Sequence, residues 1–317
     1  MKFSAVFVLL FCFSSLFGQN GKEEELELSS KPANLYGTIL VPESHKGVIA
    51  LIIPGSGPTD RNGNSSIAGE NNSLKFLAED LAKNGIASLR IDKRGVGKSI
   101  NAMKSEKDLT FDTYINDVID WGFKILNDVR FKKLIVIGHS EGSLVGMSAL
   151  EELESQLDIR AYISLAGGGF PIDKILSSQL KSLPDSSYKK AINILNQFKE
   201  GEKVENVSLD LFFIFRPSIQ AYMISWIDKN PTEIIKKIKT PILIINGTND
   251  LQVGVENAES LHDSNPKSEL AIIKNLNHVL KSVEGGLEEN KKTYSDPTMQ
   301  NSPELIEVII KFLNDNP

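Results

Sequence analysis

Four aliphatic residues, Leu134-Ile-Val-Ile137, run directly into Gly138-His-Ser-Glu-Gly142. Three of the four are β-branched, and an apolar run this short, closed by glycine, predicts a buried strand rather than a helix. Residues Leu144 to Leu153 have helical composition and spacing. The chain therefore passes from strand through a sharp turn into helix, with Ser140 at the tip. In that context Gly-x-Ser-x-Gly predicts a nucleophile elbow. Strand and helix pass each other at close quarters there, and small residues two positions either side of the serine leave room for it. The hydroxyl is pushed clear of the sheet edge, and the N–H of Glu141 is aimed at the same space.

The flanking sequence repeats the alternation. Strand-like runs fall at Glu23–Ser30, Tyr36–Val41, Val48–Ile53, Ala87–Ile91, Ala161–Ala166, Pro241–Ile245 and Glu269–Ile273. Helical spacing falls at Ser73–Asn84, Phe111–Asn127, Val255–His262 and 303–314, with Pro303 suited to a first helical turn. This rhythm predicts an α/β fold, a mostly parallel sheet covered by helices on both faces. From Pro171 to Lys239 the rhythm breaks. Only helical segments occur there: Ile172–Leu183, Tyr188–Lys199, Ile219–Lys229 and Pro231–Ile238. The expected organisation is a sheet domain over 19–170 and 240–317, interrupted by a helical cap over 171–239.

A serine nucleophile at neutral pH needs a base, and the base needs an acid to orient it. In a parallel sheet both belong on loops at the carboxyl ends of later strands. The strand Pro241–Ile245 opens into Asn246-Gly-Thr-Asn-Asp250, and Glu269–Ile273 opens into Lys274-Asn-Leu-Asn-His278. The order Ser140, Asp250, His278 results. Asn249 has the wrong chemistry to stabilise an imidazolium. His45 lies in an early turn, His262 ends a helix, and His139 next to the serine should point into packing. Asp173, after the sixth strand, is the alternative position for the acid.

Two backbone donors are needed where negative charge develops. Glu141 supplies one N–H. The other belongs to the loop after the third strand, Gly55-Ser-Gly57, with Ser56 taken as the donor and Gly57 as the alternative. Asp60 and Arg61 on this loop read as a structural ion pair or turn anchor. Gly97-Lys-Ser99 imitates the end of a phosphate loop, but that motif needs glycine where Asp92 stands.

The N-terminus carries Lys2, an apolar run from Ala5 to Phe17 and then Gly18-Gln19. It is too short for a comfortable membrane span and has the layout of a signal peptide over 1–18. Export, to the periplasm or outside the cell, is expected. Cys12, the single cysteine, lies within that segment, and Phe11 before it does not suit a lipoprotein anchor. The mature chain then has no disulfide. A net charge of −6 without a basic cluster argues against nucleic acid, and no stable membrane insertion is expected.

Taken together, Pro54-Gly-Ser-Gly-Pro-Thr-Asp-Arg61, Asp92-Lys-Arg-Gly-Val-Gly97, Gly138-His-Ser-Glu-Gly142, Arg216-Pro-Ser218, Gly247-Thr-Asn-Asp250 and Asn277-His-Val-Leu-Lys281 resemble the α/β-hydrolase superfamily. The resemblance is to its serine aminopeptidase-like branch of bacterial esterases, over nearly the whole mature chain. It implies a carboxylesterase fold with a helical lid, and neither metal nor organic cofactor. Pro54 replaces the histidine that usually opens that family's oxyanion loop. The expected activity is hydrolysis of a small carboxylic ester, of short to medium acyl chain, through an acyl-enzyme on Ser140. An aminopeptidase or amidase would need an acid in the cap to hold a free amine, with Asp173, Glu200, Glu202 and Glu205 as candidates. A binding protein on an inactive hydrolase scaffold would lack a triad member, and none is missing.

Overall fold

The computed structural model describes residues 21–317, so the signal-peptide segment lies outside the described residues. Eight strands form one sheet: β1 (Lys22–Leu28), β2 (Leu35–Val41), β3 (Val48–Ile53), β4 (Ala87–Ile91), β5 (Lys133–His139), β6 (Ile159–Leu165), β7 (Ile242–Gly247) and β8 (Glu269–Ile273). Their order is β1-β2-β4-β3-β5-β6-β7-β8. The first hairpin and the β2–β4 pair are antiparallel, and every pairing from β4 to β8 is parallel.

The helices are α1 (Ser73–Lys83), α2 (Phe111–Leu126), α3 (Glu141–Gln156), α4 (Ile172–Gln179), α5 (Asp185–Lys199), α6 (Leu209–Phe215), α7 (Gln220–Ile227), α8 (Pro231–Ile235), α9 (Val255–Ser264), α10 (Leu287–Thr293) and α11 (Pro303–Asp315). Side chains of a strand alternate between the two faces of its sheet, and here both faces are apolar. On β3, Ile49, Leu51 and Ile53 join one core with α2, α3 and α9, while Val48, Ala50 and Ile52 join a second core with α1 and α11. This is why β3 and β5 read as unbroken apolar runs. Helix α2 starts where Thr110 accepts from the N–H of Thr113 in a capping box, and it drives Phe111 and Trp121 into the first core.

Helices α4 to α8 all fall between β6 and β7. The apolar residues of α4 to α7, with Phe198, Leu211 and Phe215 fully buried, make a third cluster of their own, while Ile235 of α8 joins the first core. Helix α6 was not expected. Seven residues long, with apolar side chains nearly all round, it has no periodicity to reveal it. The short polar α10 was missed as well, although Gly286 and Glu289 stand at capping-box spacing.

The turn between β5 and α3 is as tight as its glycines predict. Ser140 has φ 55° and ψ −121°, and α3 begins at the very next residue, three earlier than the spacing suggested. A Cβ on Gly138 would lie 2.3 Å from the carbonyl oxygen of Gly142, and one on Gly142 would lie 2.4 Å from that of Ile53. Backbone, not a movable side chain, fills both spaces. Gly138→Ala should therefore lower stability by roughly 2–3 kcal/mol, an overpacking cost. Scanning calorimetry should show the thermal midpoint falling by roughly 5–10 °C.

Candidate active site

The carboxyl ends of β5, β7 and β8 bring Ser140, Asp250 and His278 to one edge of the sheet. His278 Nδ1 donates to Asp250 Oδ2 at 2.8 Å. Asp250 has a side chain 0% exposed, and its second oxygen accepts the N–H groups of Gln252 and Val253 at 2.8 and 2.9 Å. A carboxylate so engaged only accepts, so the proton sits on Nδ1 of the ring. Nε2 is left with a lone pair, as a general base requires. No side-chain hydrogen bond joins Ser140 to His278 among the described residues. Such bonds are often long before substrate binds.

The other residues named in the sequence fall away from this edge or behind it. Asp173, in α4, is paired with Lys199 at 2.7 Å. Asn249 donates to the carbonyl of Val283 and anchors its loop. His262 bonds Ser268, and His45 packs on Phe131. Asp60 and Arg61 do not pair with each other. Asp60 caps the N–H groups of Asn62 and Asn64, and Arg61 is bound to the buried Asp92 at 2.6 Å. Asp92 also accepts the N–H of Lys98, and its carboxylate fills the space beside Gly97 where a phosphate loop would need room.

Three features escaped the sequence. The first is an amide network. Asn277 donates to Asn290 and Thr293 at 2.9 and 2.7 Å, and Asn290 donates to the carbonyl of Asn249. Helix α10 thus ties the loop of Asp250 to that of His278. The second is a buried ion pair, Lys93 to Glu141 at 3.1 Å, directly beside the elbow. The third is Lys281, fully buried, whose Nζ donates to Asn301 and lies 4.5 Å from the centre of the Phe76 ring. Burial pushes this amine down to about 8. Only the α10 capping signal could have pointed to any of these; charges after a strand or a histidine ordinarily read as solvated.

Two hollows meet at the elbow. One, of about 190 Å³, is lined by Ser140, Leu144, Ile175 and Leu176. The other, of about 370 Å³, lies across Ser56 and Gly57 against Val96, Met103, Phe213 and Tyr222. Ser56, Glu141, Met223 and Trp226 belong to both walls. Of the apolar residues in the inserted helices, Phe213, Tyr222 and Trp226 line these hollows, Leu211 and Phe215 are packed in the third cluster, and Phe212 faces outward, 45% exposed. A larger depression of about 550 Å³ lies on the far flank of α3 near Glu154 and Lys239, and none of Ser140, Asp250 and His278 is in its walls.

This sheet order, with a strained serine after β5 and a paired aspartate and histidine after β7 and β8, defines an α/β hydrolase. The family described as serine aminopeptidase, S33, matches residues 70–282. Esterase EstD of Thermotoga maritima is 26% identical over 275 residues, 83% of this chain and 61% of that protein. The chain thus spans under two thirds of the length of that curated relative. Esterase Est1E of Butyrivibrio proteoclasticus, solved with ferulic acid bound, superposes with a TM-score of 0.60 at 17% identity, over 92% of this chain and 98% of that one. An esterase of Pyrococcus furiosus gives 0.61 at 17% identity, over 93% and 91%. The chain belongs to the serine aminopeptidase S33 family.

His139 holds the site from behind. Its Nε2 donates to the carbonyl of His278 at 2.8 Å, and its Nδ1 has no partner. Burial, helped by repulsion from His278, pushes the ring down to about 4. The unfolded chain takes up this proton near 6.5 and the folded protein near 4, so stability falls as pH drops through that window. The loss at the lower end is about 3 kcal/mol. Thermal melts of the wild type and His139→Gln between pH 7 and 4 should show a shallower decline in the variant, whose side-chain amide can still donate to His278.

Proposed function

We propose that this protein hydrolyses small carboxylic esters through an acyl-enzyme on Ser140. His278 Nε2 takes the serine proton as Oγ attacks the carbonyl carbon, and returns it to the departing alcohol. Water then repeats the sequence in reverse and frees the acid. Asp250 keeps the ring in the tautomer that leaves Nε2 free and stabilises the imidazolium. The N–H groups of Glu141 and Ser56 receive the oxyanion. The segment 171–239 acts as a cap over the cleft, and residues 1–18 direct the chain out of the cytoplasm.

The observation that carries the proposal is the 2.8 Å pair His278–Asp250 at the same edge as the strained serine. The name EstD and the esterase neighbours agree with it. Ester rather than aminopeptidase chemistry is favoured by charge. A free amine needs an unpaired carboxylate, and the acids around the cleft are taken: Glu141 by Lys93, Glu106 by Arg216 and Asp173 by Lys199. Glu200 and Glu202 line a separate surface depression on α5. The hollow of about 190 Å³ that Ser140 itself lines is the smaller of the two that meet at the elbow, which supports a short to medium acyl chain.

A fluorophosphonate should label the wild-type protein at Ser140 and leave Ser140→Ala unlabelled. Activity on a series of p-nitrophenyl esters should peak at short to medium chains, with amino-acid amides turned over far more slowly; the opposite ranking would sink the ester assignment. Asp250→Asn should lose on the order of 10⁴ in kcat with little change in KM. Asp173→Asn, assayed beside it on one short-chain ester, should retain most of its turnover.

A further inference from the structure

Lys93 and Glu141 are both buried, with side chains 5% and 2% exposed. Taking two charges out of water is expensive, and an apolar pair of the same size is often no less stable. Stability alone therefore gives no reason for the pair. Its contacts do. Lys93 Nζ donates to Glu141 Oε1 and to the carbonyl oxygen of Gly55, and it lies 5.1 Å from the centre of the Tyr114 ring.

The Gly55 carbonyl shares its peptide unit with the N–H of Ser56. In a trans peptide these two groups point to opposite sides, and the one cis bond among the described residues is Lys31–Pro32. Drawing the carbonyl towards Lys93 therefore turns the Ser56 N–H away from it. Among the described residues that N–H donates to no protein acceptor. Gly55 itself is so close to the elbow that a Cβ there would lie 3.2 Å from Ser140 Cβ. The other partner of Lys93 is Glu141, whose own N–H opens α3 and has no acceptor within the helix.

We propose that Lys93 is a positioning residue for ester hydrolysis, holding the Gly55–Ser56 peptide and Glu141 in one buried contact so that both backbone N–H groups converge where the oxyanion forms. The proposal rests on the hydrolysis assigned to Ser140 above. Lys93 does not touch the substrate, and no proton leaves it. Its charge is answered by Glu141, so it acts through the direction of a peptide plane and not as a free cation.

The test compares wild type, Lys93→Met and the double variant Lys93→Met/Glu141→Gln, which removes both charges and leaves no unpaired carboxylate. Kinetics on a short-chain p-nitrophenyl ester, thermal midpoints and a crystal structure of the double variant are the readouts. One lost oxyanion donor lowers kcat by about 10²–10³, and a donor left in place but misdirected should forfeit about 10–100-fold. The expected result is that loss in kcat for both variants, with KM within about threefold. The double variant should regain thermal stability without regaining turnover, and its Gly55–Ser56 peptide should be rotated. Wild-type kcat in a folded double variant, or a fall in kcat that vanishes once stability is restored, would overturn the role. If the wild-type protein turns over no ester at all, hydrolysis itself fails; the peptide plane then decides for Lys93, rotation supporting it and an unmoved plane refuting it.

Discussion

The backbone of Gly142 lies against the carbonyl oxygens of Ile53 and Pro54, and much of the molecule follows from that contact. It forces α3 to start against the end of β3. The start of α3 in turn holds Ser140 at a φ that side-chain-bearing residues avoid. Such strain persists only where its surroundings over-determine it. Here the surroundings are the middle of the sheet: β3 is paired in parallel with β5 along its whole length, and β3 and, from Leu134 on, β5 are buried on both faces. The two fully apolar cores are thus what keeps one serine in an unfavourable backbone state.

Around this point charge is present but nearly always answered. Arg94 grips Asp117 with two hydrogen bonds, Arg216 grips Glu106, and Lys93 is matched by Glu141. The cleft walls are therefore close to neutral and mostly apolar, although charged residues stand in them. A neutral, partly dry site strengthens any hydrogen bond aimed at a developing oxyanion, and it gives a charged substrate group no free counter-ion. Lys281 is the exception, a buried amine held by an amide and a ring face, one turn of loop beyond His278.

The sheet was legible in the sequence because strands buried on both faces are apolar at nearly every position, β3 throughout and β4 apart from Ser88 and Arg90. The elbow was legible because close backbone passage demands glycine. Asp250 and His278 could be located because parallel strands send their loops to one edge. What the sequence hid shares a different property. The partners Lys93 and Glu141 are 48 residues apart, and a lone charge in a sequence carries no sign of being buried. Arg61 finds Asp92 rather than its neighbour Asp60 for the same reason: contact is set by the crossing of loops, not by adjacency. Helix α6 lacks a polar face, and the asparagines that join the loops of Asp250 and His278 resemble ordinary turn residues.

Those asparagines have a consequence for how the protein meets its medium. The ion pairs that brace β1, Glu23 to Arg90 and Glu25 to Lys98, involve exposed carboxylates, and such surface pairs weaken as salt shortens the screening length to about 3 Å at 1 M. The connection from Asp250 to His278 through Asn249, Asn277, Asn290 and Thr293 contains only uncharged donors and acceptors. Brine can therefore loosen the outer hairpin while the distance between His278 and Asp250 stays as it is in dilute buffer.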